Sequence, residues 1–252
     1  MLQKWHGAGN DFLVDVTSAD SASWWTAERA ALVCDRHRGL GADGLLVACL
    51  DGDDVTMILF NADGSRAEMS GNGIRCLAAA VMRSRRDGAS SVKIATDVGI
   101  REVTLELHGL EGYGSVDMGT VTTERGGDLA LGIANVGNPH AVVLDRPEWT
   151  TRDREDVAHE LSGALGGANV EFVTVQSASH VSLVTFERGV GWTLACGTGS
   201  VACAAVLFEN GLIGAHVTVQ NPGGALVVDL DGQNCTLGGP VQFVADATWD
   251  HV

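Results

Sequence analysis

The sequence has no long apolar run and few basic residues, and both absences restrict what the protein can be. No uninterrupted apolar stretch reaches the roughly 18 residues that a membrane-spanning helix requires. Lysine and arginine number 16 against 32 aspartate and glutamate residues, which gives a net charge of −16. A chain this acidic repels the phosphate backbone of nucleic acids. We therefore expect neither a membrane nor a nucleic acid as a partner, and we attribute the negative charge to solubility.

The cysteines form no recognisable metal or disulfide pattern. They lie at positions 34, 49, 76, 196, 203 and 235. No CxxC pair or Cys/His spacing typical of metal ligands is present, and a chain of 252 residues can build its cores without disulfides. We expect thiols and no metal. The N-terminus, MLQKWHGAGN, lacks the charged start and apolar stretch of a signal peptide, so a cytoplasmic location is expected.

What the sequence does contain is a duplication at an offset of about 126 residues. The segment SGNGIRCLAA, which begins at Ser70, aligns with CGTGSVACAA, which begins at Cys196. Three further pairs keep this order and nearly this spacing: Phe60-Asn61 with Phe186-Glu187, Gly41–Asp43 with Gly167–Asn169, and Gly9-Asn10 with Gly137-Asn138. Four blocks in one order indicate two copies of one unit, and so long a period predicts two domains rather than a solenoid.

Each copy places a small nucleophilic side chain, Ser70 or Cys196, before a G-x-G turn that opens an apolar helix. The backbone N–H groups of Gly71-Asn72 and Gly197-Thr198 would be unpaired donors there, able to hold a carboxylate and to stabilise developing negative charge. Inverting a carbon centre requires a base on one face and an acid on the other. A thiol can play either part, and a helix N-terminus favours its thiolate. The pattern therefore predicts a two-sided site suited to an epimerase.

Alternating and β-branched runs dominate the rest of the chain and predict strands. These runs cover residues 12–16, 45–50, 55–60, 92–96, 101–107, 141–145, 170–176, 181–186, 216–220 and 225–230. Residues 26–37 and 153–161 carry mixed polar faces and predict outer helices. By contrast, residues 73–82 and 199–208 are apolar nearly all round, which is typical of a helix buried on every side.

The predicted fold class is α/β (α+β). Two pseudo-symmetric domains are expected, each a curved, mostly antiparallel sheet wrapped around a central buried helix. We place the boundary near Asp117, so that the domains are residues 1–117 and 118–252, with the alternative that the last strand returns to the first half.

Six motifs spanning nearly the whole chain resemble, in order, those of the diaminopimelate epimerase family. They are HGAGNDFLVD, DRHRGLGADGLL, NADGSRAEMSGNGIRC, GNPH, ANVEF and ERGVGWTLACGTGSVACAA. The resemblance implies a cofactor-independent isomerase that interconverts LL- and meso-diaminopimelate in lysine and cell-wall precursor biosynthesis. It also implies two pseudo-symmetric α/β domains with the site in the cleft between them, a small amino-acid diacid as substrate, and a homodimer.

The resemblance further implies a role for each matching residue. Cys196 is one catalytic base/acid, and Ser70 occupies the place of the other, where the family normally has cysteine. His140 matches a histidine that tunes the thiol. The residues that match substrate-binding positions are Asn10, Asn61, Asn138, Asn169, Glu187 and Arg188, with the helix-end residues Gly71, Asn72, Gly197 and Thr198. A carboxylate such as Glu187 suits the substrate ammonium, and a guanidinium such as Arg188 suits a carboxylate.

Four departures from the family pattern leave alternatives open. The hydroxyl of Ser70 loses its proton far less readily than a thiol. Gly44 stands where some members place a substrate-contacting glutamine, and Trp192 where many have glutamate. Ala245 stands where an aromatic residue often supports dimer contact. The alternatives are epimerisation or dehydration of a related substrate such as a proline derivative, and an inactive paralogue that binds diaminopimelate without turnover.

Cys76 is not expected to replace the missing thiol. It lies six residues beyond Ser70 in the same helix, about 9 Å deeper at ~1.5 Å per residue. Free cysteine behaves as a small apolar residue, so Cys76, Cys203 and Cys34 are expected to be core residues.

Overall fold

Strands far outnumber helices in this chain, as the alternating runs predict. A computed structural model describes residues 1–86 and 88–250. Its helices are α1 (Ala19–Ala22), α2 (Ala27–Cys34), α3 (Gly71–Arg85), α4 (Thr151–Ala164) and α5 (Gly197–Glu209). Its strands are β1 (Leu2–Gly7), β2 (Asn10–Ser18), β3 (Gly44–Asp51), β4 (Asp54–Asn61), β5 (Arg66–Ala67), β6 (Ser91–Thr96), β7 (Gly99–His108), β8 (Glu111–Thr120), β9 (Thr122–Arg125), β10 (Gly132–Asn135), β11 (Pro139–Leu144), β12 (Asn169–Ser177), β13 (His180–Glu187), β14 (Gly191–Thr193), β15 (His216–Asn221), β16 (Gly224–Asp231) and β17 (Asn234–Ala247).

The chain divides into two compact units, Met1–Val116 with the segment from Gly239 onward, and Asp117–Gly238. In the first unit β2 and β3 pair in parallel across α1 and α2, and β4 and β6 pair in parallel across α3. Its other main pairings, β1–β2, β3–β4, β6–β7, β7–β8 and β1–β17, are antiparallel. A parallel pair needs a long crossover, and the helices supply it.

The second unit repeats this arrangement. Strands β11 and β12 pair in parallel across α4, and β13 and β15 pair in parallel across α5. The pairings β9–β10, β10–β11, β12–β13, β15–β16 and β16–β17 are antiparallel. Each unit therefore has one outer crossover and one central crossover at corresponding places, as the sequence duplication predicts.

The two central helices are buried on nearly all sides. Every residue of α3 from Gly71 to Val81 is buried, and α5 is buried from Gly199 to Leu207. Small side chains such as alanine let neighbouring strands approach each helix closely. Both helices begin two residues before the predicted 73–82 and 199–208, because their glycines already belong to the first turn. The prediction of central buried helices is confirmed.

Strand β8 is absent from the predicted runs because it contains three glycines, which are poor strand formers. Two of them are required by close packing. A Cβ at Gly112 would lie 2.6 Å from the carbonyl oxygen of Glu106, and one at Gly114 would lie 2.6 Å from Cδ1 of Leu105. The register of β8 with β7 thus depends on missing side chains, which a propensity pattern cannot detect.

The buried thiols predict a loss of stability in alkali. All six cysteines are buried, as expected for Cys34, Cys76 and Cys203. Burial raises the pKa of Cys34 and of Cys76 to about 12, and it raises the pKa of Cys203 well above its ordinary value. In the unfolded chain these thiols ionise near pH ~8.5, so above that pH the folded protein binds more protons than the unfolded chain.

The free energy of unfolding should therefore hold below pH ~8.5 and fall above it, by about 1.4 kcal/mol per pH unit for each such thiol. Urea denaturation between pH 7.5 and 9.5 measures this slope. Cys203→Ala should remove about 1.4 kcal/mol per pH unit from the slope. An unchanged slope in Cys203→Ala would contradict the raised pKa of the Cys203 thiol.

Candidate active site

Cys196 caps the N-terminus of α5 in the second unit. Its backbone is extended (φ −118°), and its Sγ accepts the N–H of Gly199 at 3.3 Å. The hydroxyl of Thr198 lies 3.5 Å from the same sulfur, and Ser200 Oγ donates to the Cys196 carbonyl at 2.8 Å. Only 6% of Cys196 is exposed. The G-x-G turn thus opens α5, as the sequence predicts, and the sulfur lies against the first turn of the helix.

The charges around Cys196 work against ionisation. Burial raises the pKa of the Cys196 thiol well above its ordinary value, and the carboxylates of Glu187 and Glu171 raise it further. Hydrogen bonds to Thr198 and Gly199 oppose them but are weaker. The expectation that the helix end makes Cys196 a thiolate is wrong for the protein alone, because desolvation and two nearby anions exceed the helix-end effect.

Glu187 and Arg188 lie at the end of β13. The carboxylate of Glu187 accepts a hydrogen bond from the Thr193 hydroxyl at 2.7 Å. The backbone N–H of Arg188 donates to Asn169 Oδ1 at 2.9 Å. The Arg188 side chain lies over Gly167, where an added Cβ would lie 2.8 Å from Arg188 Cδ. Thr193 thus orients Glu187, a role that sequence reasoning misses because it depends on β14 pairing with β13.

His140 and Glu171 form a fully buried pair beside α5. Nδ1 of His140 lies 2.8 Å from Glu171 Oε1, and Nε2 lies 2.9 Å from Asn138 Oδ1. Both side chains are 0% exposed. A Cβ built on Gly199 would lie 2.6 Å from Glu171 Oε1. Both ring nitrogens of His140 are thus occupied by Glu171 and Asn138. Glu171 is the residue that sequence reasoning misses here, and the available signal is a lone acid inside an apolar strand.

The contact beneath Gly199 predicts a strong effect for Gly199→Ala. The new Cβ would lie 2.6 Å from Glu171 Oε1 and 3.2 Å from Cys196 Sγ. We expect kcat/KM to fall by about 100-fold, since relief requires moving a buried carboxylate or the thiol, at a cost of about 1–3 kcal/mol.

Gly73→Ala, at the matching position of α3, is the control. Its Cβ would meet nothing closer than 3.1 Å, so a loss below about 10-fold is expected. Steady-state kinetics on both variants makes the comparison. Equal losses would show that Glu171 does not restrict this position.

Ser70 caps α3 in the first unit as Cys196 caps α5. Its backbone is also extended (φ −137°), and its Oγ accepts the N–H of Gly73 at 3.1 Å. The side chain is half-buried, whereas Cys196 is buried. The two predicted catalytic residues therefore hold equivalent positions, each within its own unit.

A hydrogen-bonded chain extends from α3 to the Asn10 loop. Arg75 Nη2 donates to Asn72 Oδ1 at 2.6 Å, and Asn72 Nδ2 lies 3.5 Å from Asn10 Oδ1. Asn10 Nδ2 donates to Asp43 Oδ2 at 2.9 Å. Asn61 is exposed and donates to Ser65 Oγ at 2.9 Å. The amides of Asn10 and Asn72 are thus oriented by neighbours within the unit.

Gly44 and Trp192 mark the departures from the family pattern. A Cβ at Gly44 would lie 2.7 Å from the Phe60 carbonyl oxygen and 3.3 Å from the Phe12 ring, so a glutamine there would require a backbone shift. Trp192 donates its indole N–H to Glu155 at 3.0 Å. This bond joins β14 to the outer helix α4.

Within the described ranges 1–86 and 88–250, no group of three or more His, Cys, Asp or Glu side chains could hold a metal ion. No helix in that part of the chain is long and apolar enough to cross a membrane.

Comparison with known proteins gives consistent matches over the whole chain. A family model described as diaminopimelate epimerase matches residues 2–124 and 132–244. The diaminopimelate epimerase of Methanothermobacter thermautotrophicus is 34% identical over 284 residues, with 100% of this chain and 98% of the relative covered. That of Rhodococcus jostii is 36% identical over 288 residues, with 99% of this chain and 96% of the relative covered.

Two solved structures share the fold. A predicted epimerase from Pseudomonas aeruginosa has a TM-score of 0.75 at 14% identity, covering 100% of this chain and 99% of the other. A hydroxyproline epimerase from Agrobacterium vitis has a TM-score of 0.74 at 18% identity, covering 96% of this chain and 88% of the other. These likenesses confirm the predicted fold class.

Proposed function

The chain belongs to the diaminopimelate epimerase family and is an isomerase, and we propose that it interconverts LL- and meso-diaminopimelate by proton transfer between Cys196 and Ser70. The observation that carries this proposal is that both residues cap a buried helix in the same way. Each side chain accepts the backbone N–H of the residue three positions further along the chain. In the proposal each half of the duplication, residues 1–117 and 118–252, supplies one group.

In the proposed reaction the Cys196 thiolate removes the α-proton from one face, and the Ser70 hydroxyl gives a proton to the other. The thiolate becomes a thiol and the hydroxyl becomes an alkoxide, so one proton leaves the substrate and one enters it. The reverse reaction exchanges the two roles. Return of the enzyme to its first form moves one proton from thiol to alkoxide through water.

Binding the substrate prepares this step. The N–H groups at the two helix ends, Gly71-Asn72 and Gly197-Thr198, hold the α-carboxylate and stabilise the carbanion. Glu187 receives the α-ammonium, and that cation offsets one of the two anions that raise the pKa of Cys196. Arg188, Asn10, Asn61, Asn138 and Asn169 hold the distal carboxylate and amine.

Isotope entry from heavy water tests the proposal. LL-diaminopimelate incubated with the enzyme in D2O should gain one α-deuterium and convert to the meso isomer, as followed by mass spectrometry and chiral chromatography. The same incubation with Cys203→Ala, which removes a buried thiol of α5, should still show both exchange and inversion. Neither exchange nor inversion by the intact enzyme would reject the function.

The presence of Ser70 keeps two alternatives worth testing with the same assay. Proline and 4-hydroxyproline can replace diaminopimelate, and chiral chromatography separates an inverted product from a dehydrated one. An inactive binding paralogue would bind diaminopimelate in calorimetry and show no isotope exchange.

A cytoplasmic location and a homodimer are also part of the proposal, with the family resemblance as support. Cell fractionation and sedimentation velocity test them.

A further inference from the structure

The two helix ends carry unlike charges at positions that correspond in the duplication. Three pairs at the offset of about 126 residues show the difference: Arg75 with Val201, Leu45 with Glu171, and Asn61 with Glu187. The first two pairs are 0% exposed in both units. The first unit therefore has a buried cation, Arg75, where the second has Val201. The second unit has a buried anion, Glu171, where the first has Leu45.

Arg75 is the buried cation of the first unit. Its guanidinium reaches back one helical turn and donates to the Gly71 carbonyl at 2.9 Å and to Asn72 Oδ1 at 2.6 Å. Its Nε is buried and has no hydrogen-bond partner. Throughout residues 1–86 and 88–250, no carboxylate forms an ion pair with it. Burial lowers the pKa of Arg75 to about 10, which still leaves it protonated at neutral pH.

The acidic residues nearby do not cancel this charge. Asp11 is paired with Lys4 at 2.9 Å, and Arg36 contacts both Asp11 and Asp43. Glu68, two residues before Ser70, is exposed. The titratable groups that act on the Arg75 guanidinium are Cys76 and Tyr113. The first turn of α3 therefore has a buried positive charge in addition to its helix-end dipole.

Glu171 is the buried anion of the second unit. Oε1 faces Gly199 and His140, and Oε2 is buried without a hydrogen-bond partner. Thr185 lies directly opposite on β13, and its hydroxyl is also buried without a partner. Glu171 acts electrostatically on Cys196 and on Cys203 of α5. The N-terminal turn of α5 therefore lies in a negative local field, to which Glu187 adds.

The difference in charge between the N-terminal ends of α3 and α5 has the sign that a serine–cysteine pair requires. A hydroxyl is a much weaker acid than a thiol, so proton exchange between them is uphill in the direction that leaves an alkoxide. Efficient acid–base pairs have matched proton affinities. Arg75 donates to the carbonyl of Gly71, the residue after Ser70, and a cation there stabilises an alkoxide at Ser70. Glu171 lies against Gly199, and an anion there destabilises a thiolate at Cys196.

We propose that Arg75 and Glu171 are positioning residues that together favour the enzyme form with Ser70 as alkoxide and Cys196 as thiol. Neither residue donates or accepts the transferred proton, and each acts through the helix end it adjoins. The inference rests on the proposed function, because it assumes that Ser70 and Cys196 exchange protons with one substrate.

A double-mutant cycle between Arg75 and Ser70 tests the proposed role of Arg75. Arg75→Gln should lower kcat/KM at least about 10-fold more in the Ser70 enzyme than in the Ser70→Cys background, because a thiol needs less help to ionise. Arg75→Lys, which keeps the charge, should recover most of the loss. Arg83→Met removes a cation from the same helix that pairs with Asp246 at the surface, and it should leave kcat/KM unchanged in both backgrounds. Equal losses in both backgrounds would overturn the role of Arg75.

The titration of the Cys196 thiol tests the proposed role of Glu171 and needs no substrate. In Glu171→Gln, whose side chain can still accept from His140, the pKa of Cys196 should fall by about one unit or more. The pH dependence of iodoacetamide alkylation, localised to Cys196 by mass spectrometry, measures it. Glu160→Gln, an exposed carboxylate on α4, is the control and should leave the titration unchanged.

The two experiments use different variants, so one of them still tests the proposal if a variant in the other fails to fold. Should Arg75→Gln be unfolded by circular dichroism, the Arg75→Lys cycle and the titration still decide. An unshifted Cys196 in Glu171→Gln would overturn the inference while leaving the isotope result of the wild type intact. Absence of isotope exchange in the wild type would instead remove the proposed function, whatever the titration shows.

Discussion

Cys196→Ala is expected to abolish both deuterium entry and inversion, with kcat lower by about four orders of magnitude. Cys196 combines a proton-transferring side chain with the N-cap position of α5. Alanine keeps the small buried volume but removes the group that accepts and returns the proton. The D2O assay measures exchange and inversion in one sample, so loss of a single face can be told from loss of both.

Cys203→Ala separates chemistry from packing in this experiment. Cys203 lies two turns further along α5 and is completely buried, so it tests a lost core thiol in the same helix. We expect it to retain at least about a third of the wild-type kcat, since distant core changes act on stability rather than on turnover. Appreciable exchange by Cys196→Ala, or equal losses in the two variants, would remove Cys196 from the mechanism.

The positions of Ser70 and Cys196 at the helix ends could be predicted from the sequence because a helix cap is a local structure. Four consecutive residues determine that the side chain of Ser70 or Cys196 accepts the N–H three residues on, and the G-x-G pattern is visible without any knowledge of the fold. The central helices were predictable for a related reason, since an apolar surface all round a helix requires burial.

The electrostatics of the site could not be predicted in the same way. Glu171 reaches α5 only through the parallel pairing of β12 with β11 and the packing of both strands on that helix. Thr193 reaches Glu187 only through the β13–β14 register. Such contacts join segments distant in sequence, and they reverse the expected direction of the Cys196 pKa. Local patterns therefore identify the candidate reacting groups but not the charges that act on them.

Ser70→Ala and Ser70→Cys should change the reaction in opposite directions. Ser70→Ala removes the second proton-transfer group, so inversion should fall by about 1,000-fold. The isomer whose α-hydrogen faces Cys196 should nevertheless continue to exchange with D2O, because the thiolate can take a proton and return a deuteron to the same face. Exchange without inversion is therefore the expected signature, and chiral chromatography with mass spectrometry detects it.

Ser70→Cys should raise kcat/KM at pH 7.5 by about 10-fold, because a thiol with a reference pKa near 8.5 reaches both protonation states far more readily than a hydroxyl. The new sulfur can accept the Gly73 N–H as Cys196 accepts that of Gly199. Inversion by Ser70→Ala at the wild-type rate would show that another group serves this face. A Ser70→Cys enzyme slower than wild type would contradict the expectation that a thiol serves this face better than a hydroxyl.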